Sequence, residues 1–331
     1  MGDGILDLAA VPHFIASEWI GIGKQYPTIN TPYEVQWARD KLLKIPETEA
    51  EHLRSPSLPV TQFLQLNLPP QAAEIITTKP RTWFSNDELC TEATVLMTRP
   101  IPPKSLLVKL EKEISQAWFD GAKSVIDTRY NSSTDHLPLW VITLWKTMAQ
   151  MVEMQSSWQR SSQWLDDEED KTQDAPTIKA ISQTRELLMH LSWNIKLPYS
   201  RQTRTTIELT TFLSIKWLSD EHIDMMMEEL SNEVTSDPEL AKKVIIAPLA
   251  FSEKLQSIVA AKHTTYTRQN ALLLIQYEKH IKDNGTDELY FPVHVRGNHW
   301  IAGLIDFKDG VICFGDSQSD METFVAPQKL L

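Results

Sequence analysis

Cysteine is scarce in this chain: among 331 residues there are two, Cys90 and Cys313. That number excludes a disulfide framework and any four-cysteine metal site, and it suits a reducing compartment. Basic charge is in deficit, with 32 Lys and Arg against 44 Asp and Glu, a net of −12. Such a surface has no electrostatic footprint for a phosphate backbone, so nucleic acid is not the expected partner. The 10 glycines are scattered, and no Gly-rich phosphate loop exists among them. No run of 18 apolar residues occurs, so no transmembrane helix and no membrane association are expected. The start, MGDGILDLAAVPHF, lacks a basic stretch and carries Asp3 and Asp7, unlike a secretory signal. Leu6 stands where a myristoylation pattern needs Ser or Thr. The expected location is intracellular, in nucleus or cytoplasm. What is present is ordinary globular material: 42% hydrophobic and 23% charged residues.

Proline punctuates the first third. Twelve of 19 prolines lie before residue 104. Proline lacks an N–H and restricts its predecessor, so residues 1–103 read as short elements and loops. From Lys104 the pattern turns helical, with Leu106, Leu107, Leu110, Ile114, Ala117 and Trp118 at three- and four-residue steps. A second helix runs from near Pro138 to about Leu165, and its Trp140, Trp145, Trp158 and Trp164 read as helix packing. The acidic run Asp166 to Asp170 reads as a solvated linker. Asp174 and Pro176 open a third helix, with an apolar stripe of Ile178, Ile181, Leu188, Leu191 and Ile195. Residues 104–200 are thus a helical region, and the turn-rich Pro198 to Arg204 is a boundary.

Residues 205–331 mix helix and strand signals and hold most of the excess charge, a net of −8. Ile207 to Leu213 alternates as a half-buried strand does. Ser219 and Asp220 open a helix carrying Ile223, Met226, Met227 and Leu230. Val244 to Ala250 reads as a short strand, and 251–260 and 270–282 as helices. Then come three strands, 289–295, 300–307 and 311–314, joined by Arg296-Gly297-Asn298 and Lys308-Asp309-Gly310 into an antiparallel meander.

Chemistry concentrates in 292–320. His299 starts one strand and Asp316 ends the next, and in a meander those ends are neighbours. A carboxylate beside an imidazole fixes its tautomer and stabilises its protonated form, as a general base requires. The same pair also reads as a strand-edge histidine beside a turn aspartate. His294 and His299 lack a third ligand, so neither a metal nor any cofactor is expected.

The motifs on this stretch resemble those of the cysteine proteases that process SUMO and related ubiquitin-like modifiers, the Ulp or sentrin-specific protease family. The matching residues are Phe291-Pro292-Val293, His299-Trp300 and Asp316-Ser317, with Trp217-Leu218-Ser219-Asp220 and Ile223 upstream in the right order. The resemblance covers about 205–320 and says nothing of 1–200. It implies an α+β, papain-like cysteine protease domain preceded by a mainly α-helical region. By it, His299 is the general base and Asp316 its orienting partner. Trp217, Asp220 and Trp300 are substrate-binding residues, with the two indoles flanking a channel for the modifier's C-terminal diglycine. Only glycine lets a backbone pass between two indole faces, so the pair would read Gly-Gly by excluding side chains.

One departure shapes the expectation. The family's oxyanion-hole glutamine and nucleophilic cysteine lie well beyond the Asp-Ser element, and this chain's last residue is Leu331. Gln318 and Gln328 precede no cysteine. Cys313 is three residues before Asp316, so alternation aims it at the opposite face. Cys90 sits in the other region. The domain is therefore expected to be incomplete, cut off before its nucleophile, either through a truncated gene model or as a degenerate protease. The function expected is a cysteine-type peptidase or isopeptidase acting on SUMO-like or ubiquitin-like proteins and their conjugates, inactive in this chain alone. Its rival is a non-catalytic adaptor that binds a ubiquitin-like protein. On the missing-nucleophile reading, the face of Trp300, Ala302 and Leu304, or that of Ile301 and Ile305, is expected to lack cover.

Overall fold

The computed structural model describes residues 44–50, 53, 56–73, 79–87, 99–130, 135–197, 204–260, 268–295 and 299–316. It divides into two compact units, Met1–Ile195 and Lys196–Leu331.

The first unit is helical around a small sheet. Its labelled elements are α1 (Val60–Leu64), β1 (Phe84–Ser85), α2 (Lys104–Phe119), β2 (Ser124–Ile126), β3 (His136–Leu137), α3 (Val141–Lys171) and α4 (Ala175–Leu188). The apolar stripe of α2 buries Leu107, Leu110 and Ile114 against Trp83 and against Val141, Trp145 and Met148 of α3. Tryptophans predicted to pack do so: Trp145 and Trp158 are fully buried. Trp158 donates its indole N–H to the Trp193 carbonyl at 3.0 Å. Phe63 of α1 stacks on Trp193 at 4.0 Å. The amide of Gln155 ties α1 down through the carbonyls of Phe63 and Leu66, both at 2.9 Å.

The acidic run expected as a linker is instead the end of α3. Arg185 of α4 bridges it, meeting Asp166 at 2.7 Å and Glu169 at 2.5 Å. A cation from the next helix offsets the repulsion that local charge counting assigns to the run. Asp174 caps α4 as expected, accepting from the Thr177 amide at 3.0 Å and its hydroxyl at 2.6 Å. These bonds hold the Asp174 carboxyl below its usual range.

The second unit is α+β. It comprises α5 (Asp220–Ser236), α6 (Pro238–Lys243), β4 (Val244–Ile246), α7 (Leu249–Ala260), α8 (Arg268–Asn284), β5 (Glu288–Val295), β6 (His299–Asp306) and β7 (Val311–Gly315). The strand expected at 207–213 is a 3-10 helix, Thr206–Thr211. Local polar bonds decide this. The Thr205 amide donates to Glu208 at 3.1 Å, and the Thr210 hydroxyl to the Ile207 carbonyl at 2.7 Å.

The sheet runs β4-β5-β6-β7, with β4 parallel to β5 and the rest antiparallel. The predicted meander is therefore present, extended by one parallel edge strand. Gly310 turns the chain between β6 and β7 at φ +65°, and Asp306 accepts from the Lys308 and Asp309 amides at 2.9 Å. One face carries Leu289, Phe291, Ile305 and Phe314, and α7 and α8 cover it with Phe251, Leu255, Leu274 and Tyr277. Of the two faces on which missing cover was expected, that of Ile301 and Ile305 is covered by two upstream helices, whereas on the Trp300, Ala302 and Leu304 face Tyr290, His294 and Ala302 are exposed.

Gly303 is fixed by that packing. Phe291 lies directly across it in register, and a Cβ on Gly303 would stand 2.5 Å from the Phe291 ring. Gly303→Ala is expected to destabilise this unit by about 1–3 kcal/mol, the usual range for overpacking a core. Urea denaturation measures it. An unchanged midpoint would show that the ring moves aside freely.

Candidate active site

His299 opens β6 and Asp316 immediately follows β7. The register pairs Ala302 with Gly315, which brings Asp316 alongside Ile301, two residues from His299 and on the same face. The meander therefore builds the contact. His299 Nε2 lies 2.6 Å from Asp316 Oδ1. The His299 side chain is 13% exposed and that of Asp316 35%, so the bond is shielded while the carboxylate keeps some solvation. A carboxylate accepts only, so Nε2 carries the proton and donates. Nδ1 is then the nitrogen with a lone pair, the one able to take a proton from a reacting group.

Trp300, the next residue, faces the other way. Its indole N–H donates to the Leu218 carbonyl at 3.1 Å, which ties the Trp217–Asp220 segment to β6. Trp217 itself is 69% exposed. That value speaks against a core role for Trp217. Asp220 is exposed in the first turn of α5, where the helix dipole favours an acid. Beside it, the Ser219 hydroxyl donates to Glu221 at 2.5 Å and holds that carboxyl below its usual range.

Sequence reasoning weighed His294 only as a metal ligand. In the structure it pairs across strands with Trp300, and the rings stack at 4.3 Å and 17°. The signal was available, because a meander with these turns sets the pairing. Cys313 is a free thiol on β7, opposite Leu304. Leu304 is five residues along β6 from His299, about 16 Å at ~3.3 Å per residue. Cys90, Ser317, Gln318 and Gln328 lie outside the described residues.

The second unit thus presents a mixed, helix-covered sheet with a His–Asp pair at the ends of two antiparallel strands. Residues 216–329, about a third of the chain, match the Ulp1 protease family, C-terminal catalytic domain. No curated protein and no solved structure matches. By that match the segment is similar to the catalytic domain of cysteine-type peptidases, proteolytic hydrolases of the SUMO-processing kind. It points to ubiquitin-like or SUMO conjugates in general as partners.

Its span also corrects the sequence reading. The matched segment passes Asp316 and continues across the tail to 329, the stretch in which the domain was expected to break off. The readings of an incomplete domain, a nucleophile missing from the chain and a protein inactive alone are overturned by that span. Among the described residues no helix is long and apolar enough to cross a membrane.

Proposed function

We propose that the second unit cleaves the peptide or isopeptide bond after the C-terminal diglycine of a SUMO-like or ubiquitin-like modifier. The observation that carries this is the 2.6 Å His299–Asp316 bond inside the segment matching a protease catalytic domain. His299 is the general base and then the general acid, and Asp316 sets its tautomer and steadies the imidazolium. Trp217, Asp220 and Trp300 receive the modifier's tail, which rests on the exposure of Trp217 and the bond from Trp300 to Leu218.

The chemistry balances as acyl transfer. A thiol gives its proton to Nδ1 of His299, and the thiolate attacks the glycine carbonyl carbon. The C–N bond breaks as His299 returns the proton to the leaving amine. Water then hydrolyses the thioester, again with His299 as base. The nucleus or cytoplasm is where such conjugates would be met.

The test is hydrolysis of a SUMO C-terminal coumarin amide by the full chain, with Cys313→Ser and Cys90→Ser made separately and together. Turnover is expected in the wild type, and loss in one single variant identifies the attacking thiol. Turnover surviving the double change, or none in the wild type, would sink the cysteine-type reading.

A further inference from the structure

A cleft of about 610 Å³ opens between α5, β4 and α8, sharing no residue with the His299–Asp316 pair or with the tryptophans beside it. Its volume falls within the range of small-molecule sites. One wall is apolar, made by Val244 and Ile246 of β4 and Leu273 of α8. The other is the polar flank of α5, with Ser231 and Thr235.

Arg204 also lines this cleft, and it is the unusual residue. It is 4% exposed. Its Nε and Nη1 are buried with no hydrogen-bond partner. A guanidinium cannot shed its charge, so burial without an acceptor is unfavourable and rarely kept without a use. One carboxylate that feels its field, Glu221, is exposed and bonded to Ser219 instead. The backbone of Arg204 is fixed, since its carbonyl accepts from the Leu197 amide at 2.9 Å. Two of the three guanidinium nitrogens at this cleft therefore lack an acceptor among the described residues.

We propose that this cleft binds a small monocarboxylate with an apolar tail. The carboxylate takes the buried donors of Arg204, and the tail lies against Val244, Ile246 and Leu273. Two acids, Asp224 and Glu228, share the lining. Asp224 is already committed, accepting from the Leu249 amide at 3.0 Å. Their presence disfavours a dianion such as phosphate and favours a ligand with a single negative charge at the Arg204 end.

The experiment titrates the full chain with hexanoate, hexanol and inorganic phosphate, read by calorimetry. Hexanoate is expected to bind at least tenfold more tightly than hexanol, because the charge-assisted bond is its sole advantage. Arg204→Met is expected to bring hexanoate down to the level of hexanol. That variant is also expected to unfold at no lower a temperature than the unliganded wild type, since no ion pair among the described residues is lost. Ser231→Tyr fills the cleft from a half-buried position on α5 and is expected to abolish binding with unchanged unfolding. Equal hexanoate binding by wild type and Arg204→Met would overturn the proposal. So would no hexanoate binding at all, phosphate binding as tight as hexanoate, or a marked fall in melting temperature with Arg204→Met. Should Arg204→Met fail to fold, its charge has a structural role and the proposal falls.

Discussion

His299→Ala is expected to lower kcat for a SUMO C-terminal amide by about 10³-fold or more, with KM little changed. The imidazole acts twice in acyl transfer, and each proton transfer by a positioned group contributes about 10²–10⁴-fold. Asp316→Asn should act through His299. An amide can accept from Nε2–H or donate to an unprotonated Nε2, so the tautomer is no longer set. The imidazolium also loses the carboxylate 2.6 Å away. A loss approaching that of His299→Ala is therefore expected, of order 10²–10⁴, and the double variant should be scarcely worse than either single one. Single-turnover kinetics with each variant would show this. Independent, multiplicative losses would mean that the two residues do not work as a unit.

Trp300→Ala is expected to relax selectivity rather than stop turnover. Trp300 does two things in the structure: it bonds the Leu218 carbonyl and it stacks on His294. Removing the indole frees the Trp217–Asp220 segment from β6. A tail-binding role predicts that wild type discriminates Gly-Gly from Gly-Ala reporters by about 10²-fold, within what steric exclusion achieves, and that the variant falls to ~10-fold or less. The readout is the ratio of kcat/KM for the two reporters. A ratio unchanged by the substitution, with both values lowered alike, would make Trp300 a structural strut only. His294→Ala removes the stacked ring alone, leaving the Leu218 bond in place.

Much of the second unit was legible from its sequence. Alternation over 289–295 and 300–307, with glycine turns between, determined the meander, and the meander determined that His299 and Asp316 meet. The same alternation determined that Cys313 faces away from Asp316. Helix periodicity with the caps at Asp174 and Ser219 located α4 and α5, because capping is a local exchange of hydrogen bonds.

Other features depended on partners far away in sequence. The acidic end of α3 is helical because Arg185 folds back on it, which no window around 166–170 contains. The segment 206–211 alternates like a strand, yet the Glu208 bond to the Thr205 amide and the bonds within the turn make it a 3-10 helix. Which of the two sheet faces is covered was decided by α7 and α8, which return from upstream to the Ile305 side. The necessity of Gly303 comes from Phe291, its cross-strand neighbour, and appears only in register. Arg204 gives no signal in a chain with 32 basic residues, since exposure of its neighbours depends on how α5, β4 and α8 close around it. Periodicity and capping are properties of consecutive residues and survive translation from sequence. Charge pairing, burial and cavities are properties of residues brought together, and the tertiary structure alone decided them.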